Sequence, residues 1–378
     1  MTIDLINAQG RLRPVLKILT DYPRDDLAHD EVHQSLVTAC MKRRIDFANL
    51  DVGAIPGMDT VTSGFKTAQL VLTSRLGYGH IFHTNCAPRK NIVSVKSSGE
   101  KIALGMTRSG VALLAVNAGY TLAHFQAAAE SGDIAFFQTD VPHSGSQFRS
   151  RDFFPDAMAE LAAHLAMQAE NLGATKIESL LAEGRMGDIL AGLSYLREPL
   201  NHAALPQIAQ GTACYVDNFG NIKLNYHHSR LLSQHPAGTT LVLALGHSVS
   251  DAVVGNTGFS QGEGILAITA GSSGWALRGG ASEPFSEIFL RGGRAESHFS
   301  GFRPGDPVLA VRKEDLRAVW EVLQGADRAV SERLDLYNIS DARLIQLLSW
   351  AKLIRDGFDT AELRKSLDAG DLLARLAA

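Results

Sequence analysis

Ala213-Cys-Tyr-Val-Asp-Asn-Phe-Gly-Asn-Ile-Lys-Leu-Asn225 decides how the second half of this chain is read. Apolar residues run into a polar break that contains Gly220, and a second strand-like run leaves it. Asx side chains bond their own backbone in turns, and glycine reaches φ > 0 without a steric penalty. The stretch therefore predicts two strands joined at a sheet edge, with Asp217, Asn218, Asn221 and Asn225 gathered there. On these residues alone, a hairpin whose Asx groups satisfy only themselves accounts for the pattern as well.

Working outward, residues 208–308 hold short strand-like runs at 212–216, 222–226, 239–245, 264–269 and 275–278, separated by glycines. That rhythm predicts a small β-barrel domain. Residues 1–180 alternate differently. Strand-like runs at 15–19, 45–51, 79–84, 102–106, 111–116 and 134–138 are interleaved with helical patterns at 30–44, 63–73 and 152–172. Such alternation predicts an α/β layered domain. Between the two, residues 181–207 lose the rhythm and contain Pro199 and Pro206, as a linker would. Residues 309–378 carry apolar residues at helical spacing (Leu316, Val319, Trp320, Leu323) and predict a helical extension that packs on the body or on another subunit.

Composition narrows the classes. The chain has 378 residues, a formal net charge of -4 and 45% hydrophobic residues, which is ordinary for a globular protein of two domains. No basic surplus points to nucleic acid. The three cysteines Cys40, Cys86 and Cys214 are far apart, with no CxxC pair, as expected for reduced thiols in the cytoplasm. No run reaches the length of a membrane span. His227 and His228 have no acids at ligand spacing, so no metal is expected. A G-x-G-x-x-G fingerprint and a G-x-S-x-G elbow are both missing.

Four loop-edge clusters follow one another: residues 19–26 (Leu-Thr-Asp-Tyr-Pro-Arg-Asp-Asp), residues 143–164 (opening His-Ser-Gly-Ser-Gln-Phe-Arg-Ser-Arg-Asp), residues 217–221, and Ala270-Gly-Ser-Ser-Gly274. In this order they resemble the S-adenosylmethionine (SAM) hydroxide adenosyltransferase and fluorinase–chlorinase family, over roughly residues 15–300. The resemblance implies an α/β domain followed by a β-barrel, a homotrimer, and SAM held between the first domain of one subunit and the second of its neighbour. It gives Asp21 the ribose hydroxyls, which suits an acceptor-only carboxylate, and Asp26 a second place in the same motif. It gives Asp217 the substrate ammonium, Asn221 the adenine edge with Phe219 beside it, and Ser272 and Ser273 the later turn. Phe148, Arg149 and Ser150 fall near the reacting carbon. Local rivals exist: Asp21 as a strand-end residue capping the next segment, Asp26 as a helix N-terminal charge, Ser150 as the cap of the helix that follows.

The departures from that family's pattern fall on the chemistry. Where the hydroxide-using branch carries an Asp, this chain has Asn85 or Cys86, followed by Arg89. The family His is replaced by Arg149, which cannot act as a base near neutral pH, leaving His143 as a substitute. Ser273 stands where an Arg often binds the methionine carboxylate, and Arg278, Arg291 or Arg294 would have to supply that charge. The expected function is cleavage of SAM at the ribose C5′ by water, with no further cofactor. Binding of an adenosyl ligand without turnover, or use of a halide or another nucleoside, are the alternatives.

Overall fold

The computed structural model describes residues 11–87, 101–142, 148–246, 248–276 and 282–312. The chain divides into two compact units, residues 1–208 with 275–282, and residues 209–274 with 283–378.

The first unit is built on seven strands: β1 (Val15–Thr20), β2 (Asn49–Ala54), β3 (His80–Asn85), β4 (Ile102–Thr107), β5 (Ala112–Val116), β6 (Ile134–Thr139) and β7 (Leu196–Pro199). They lie in the order β2-β1-β3-β5-β4-β6-β7. The first four in that order are parallel, and β4, β6 and β7 join antiparallel. Helix α1 (Leu27–Lys42) connects β1 to β2, and α2 (Thr60–Leu72) returns from β2 to β3 on the far side of β1. Right-handed crossovers running in opposite directions place their helices on opposite faces. Accordingly α1 sends Val32, Leu36 and Cys40 into the main core. There it packs against the long helix α5 (Phe154–Ala182), which a short helix α4 (Arg149–Asp152) precedes; another short helix, α3 (Gln126–Glu130), leads into β6. The winding reverses between β1 and β3, where Thr20 and Asn85 are paired in register.

Three expectations shift here. The strand expected at 45–51 begins at Asn49, because α1 ends in a left-handed turn. Ile45 N–H reaches Cys40 O (3.0 Å) and Arg44 N–H reaches Met41 O (3.0 Å), which consumes the residues after the helix. The helix expected at 152–172 is interrupted at Phe153, bends at Gly173 (φ 72°) and runs on to Ala182. The expected linker at 181–207 instead carries helix α6 (Met186–Leu190) and β7, which pairs with β6. Met186, Ile189, Leu190 and Tyr195 are core residues, and that burial is why the segment is ordered.

The second unit is a seven-stranded sheet made of β8 (Ala213–Val216), β9 (Ile222–His227), β10 (Thr240–Leu245), β11 (Ser248–Thr257), β12 (Leu266–Ala270), β13 (Phe285–Leu290) and β14 (Leu309–Arg312). The order is β14-β10-β11-β12-β13-β9-β8. It curls into a half-barrel. A bridge between Thr212 and Pro307 and the Ala213 N–H to Asp306 O bond (2.9 Å) tie the chain at its two edges together. Leu224, Leu241, Leu243, Val254, Ile268 and Ile288 fill its inside. The strand expected at 275–278 is not seen at Trp275 or Ala276. Trp275 belongs to the first unit, buried against Phe65 and His124. Of the expected extension at 309–378, residues 309–312 form β14, and the remainder lies outside the described residues.

Candidate functional site

The carboxyl ends of β1 and β3 gather the polar side chains of the first unit. Asp21 follows β1, and its backbone N–H bonds Asn85 O at 3.1 Å. The Asn85 amide nitrogen faces three oxygens: Ser150 Oγ at 3.3 Å, Thr20 Oγ1 at 3.4 Å and Asp21 Oδ1 at 3.5 Å. Ser150 Oγ is also 2.8 Å from the Tyr22 hydroxyl. Thr20, Asn85 and Ser150 are buried, while Asp21 and Tyr22 are half-buried. In open α/β sheets ligands bind outside the carboxyl ends of the strands where the winding reverses, and this cluster occupies that place.

Aromatic and cationic groups wall the cluster. The Tyr22 ring meets Phe148 edge-on, with centroids 5.5 Å apart. The Arg151 guanidinium lies 4.7 Å over the Phe148 ring and is held by Asp152 (2.7 Å) and by Glu31 of α1 (3.2 Å). Arg149 stacks 5.6 Å over Phe154. Ser150 sits inside α4 with its hydroxyl on Tyr22 and Asn85, so it caps no helix. Asp26 does cap one: its carboxylate accepts from Ala28 N–H at 2.8 Å at the start of α1. Arg89 and His143, like Arg278, lie outside the described residues.

Beneath the cluster are groups that burial has altered. Cys86 has its thiol pushed up to about 12, first by burial and then by the charges of Asp21 and Asp59. His83 is fully buried on the same strand, two residues before Asn85, and burial lowers it to about 4. Its Nδ1–H donates to Leu114 O at 2.8 Å, a carbonyl being able only to accept, and its Nε2 has no partner among the described residues.

In the second unit the turn between β8 and β9 is closed on itself. Asp217 Oδ1 accepts from the N–H groups of Phe219 (2.9 Å) and Asn221 (3.0 Å), and Oδ2 accepts from the Asn221 side-chain amide (3.0 Å). Gly220 has φ 80°, and a Cβ there would stand 2.7 Å from Arg294 Cβ, so the turn needs glycine. Phe219 is 76% exposed at the tip. Lys223 is buried behind the turn, 3.2 Å from Asp217 Oδ2, ion-paired with Glu287 of β13, and donating to Ser272 Oγ at 3.2 Å. Burial pushes the Asp217 carboxyl up, but the bonds from Asn221 and the Lys223 charge outweigh that and hold it below the usual carboxylate range. Ser273 contributes its carbonyl to Phe285 N–H at 2.7 Å. Arg294 is tied to Glu296 and to Asn218 O, and Arg291 bonds Gln261 O at 3.1 Å.

Asp21, Asn85, Phe148 and Ser150 are thus brought together in one unit, and Asp217, Asn221 and Ser272 around one lysine in the other. No motif marked Lys223 and Glu287 as partners, 64 residues apart. Tyr22 stood beside Asp21 in the first quoted cluster, and the one available signal was a hydroxyl next to that carboxylate. Among the described residues no group of three or more His, Cys, Asp or Glu is placed to hold a metal, and no helix is long and apolar enough to cross a membrane.

No protein-family model matches the chain, and no curated protein matches its sequence at a significant level. Solved structures do resemble it. An uncharacterized conserved protein from Thermotoga maritima aligns with a TM-score of 0.53 and 14% identity over 79% of this chain and 100% of that one. A conserved hypothetical protein from Thermus thermophilus aligns with a TM-score of 0.46 and 19% identity over the same shares. The first likeness extends to the fold alone.

Proposed function

We propose that this chain binds an adenosyl ligand at the carboxyl ends of β1 and β3 and cleaves SAM there. The observation that carries the reading is the convergence of Asp21, Ser150 and Thr20 on the single amide of Asn85 at the reversal of the sheet. Asp21 accepts the two ribose hydroxyls, and the rings of Phe148 and Tyr22 form a wall that keeps bulk solvent, though not the single attacking water, from the sugar. Water attacks C5′: the C5′–O bond forms, the C5′–S bond breaks, its electron pair goes to sulfur, and the water proton leaves to solvent. Adenosine and L-methionine result. The sulfonium is already a good leaving group, so the protein has chiefly to align and desolvate. The curled sheet of the second unit serves as the barrel domain of this family, and the assembly is a homotrimer.

A second reading, binding without turnover, is favoured by one feature. The cluster holds one carboxylate and no imidazole among the described residues, and His83 below it is buried and neutral. Incubation of the pure protein with SAM and chromatography for adenosine separates the two. Adenosine above the uncatalysed rate, abolished in Asp21→Asn, is the expected result. Calorimetric binding of SAM or adenosine with no product would establish the second reading, and binding of neither would overturn both.

A further inference from the structure

Resting on that reading, we propose that Tyr22 is a positioning residue whose phenol turns Ser150 into a hydrogen-bond donor aimed at the C5′ substituent of the ligand. Ser150 Oγ has two lone pairs and one hydrogen. The Asn85 amide donates to it at 3.3 Å, taking one lone pair. The Tyr22 hydroxyl is 2.8 Å away, and a phenol is a better donor than an aliphatic hydroxyl, so it takes the second. With both lone pairs engaged, the one thing Ser150 has left to offer is its own hydrogen. Bonds accepted at an oxygen polarise its O–H further, which strengthens that donation.

The geometry keeps the arrangement fixed. Ser150 is 6% exposed and sits inside α4, and the Tyr22 ring is held edge-on by Phe148, itself under the Arg151 guanidinium. Asp21, the neighbour of Tyr22, is the acceptor of the cluster and Ser150 the donor, both tied to the same amide nitrogen. A ligand that fits has donor hydroxyls on one side and an electron-rich atom, an oxygen or a halide, on the other.

The test is calorimetry of adenosine and 5′-deoxyadenosine, which lacks the 5′ oxygen, against the wild type, Tyr22→Phe, Ser150→Ala and the double variant. Tyr22→Phe keeps the ring and its packing on Phe148 and removes only the hydroxyl. The wild type is expected to prefer adenosine about fivefold, the usual worth of one neutral hydrogen bond. All three variants are expected to lose that preference, with no further loss in the double. A Tyr22→Phe protein that keeps the preference, or that weakens both ligands alike, overturns the proposal while leaving the ribose site standing. A wild type that binds neither nucleoside overturns the functional reading, and this inference with it.

Discussion

Lys223 is 4% exposed, with Asp217 on one side and Glu287 on the other, and this makes it the most consequential charged side chain of the second unit. Removing one partner of a buried ion pair strands the others in a medium that penalises bare charge, at a cost of about 3–5 kcal/mol. Lys223→Met should therefore lower stability by about that much in urea unfolding, and Lys223→Met/Glu287→Leu should cost less than the single variant, because it leaves fewer uncompensated charges. Equal or greater loss in the double variant would show that the pair contributes through packing alone. The same cluster explains what the sequence could and could not reveal. The turn was legible because Asp217, Gly220 and Asn221 act on their own backbone within five residues. The lysine behind it was not, since its carboxylate partner Glu287 belongs to a strand far along the chain and a buried charge reads as a surface one.

At the level of elements, the parallel strands of the first unit were legible from their apolar runs, and β1 delivers Asp21 to the sheet edge as its sequence suggests. Three strands of the second unit were not, and one of them, β14, falls where the apolar spacing suggested the start of a helical extension. In β11, Ser248, Ser250 and Asp251 mask the alternation, and in β13 the buried Glu287 interrupts what would otherwise be an apolar run. Polar residues inside a strand hide it whenever their partners come from another strand. The start of β2 was missed for a different reason: Arg44 takes the left-handed position (φ 55°) that ends α1, a place usually held by glycine. A non-glycine residue there is strained by about 1–2 kcal/mol, part of which glycine returns as entropy of the unfolded chain. Arg44→Gly should accordingly raise the stability of the protein by about 0.5–1 kcal/mol. An unchanged or lowered urea midpoint would mean that the exposed Arg44 side chain contributes more than its backbone costs.

Across the whole molecule, the first unit concentrates histidines that burial holds neutral. His80, His83 and His124 are each lowered to about 4, burial being the leading cause in every case. Their folded values lie below the ordinary value of 6.5, so the unfolded chain binds protons that the folded chain refuses. Stability from these groups is complete above pH 6.5 and is lost as pH falls toward 4. Each proton taken up on unfolding contributes a slope of about 1.4 kcal/mol per pH unit. The buried His83 and His124 carry most of this slope, and the half-buried His80 adds less because solvent screens its charge. Hydrogen exchange followed by mass spectrometry between pH 7 and 4, corrected for intrinsic rates, reads this directly. Peptides of β3 and of the segment around His124 are expected to lose protection as the pH falls, and His83→Gln should flatten part of the slope. Protection that stays constant in β3 down to pH 4 would show that the folded chain takes up the same protons as the unfolded one, so that the core does not hold His80 and His83 neutral.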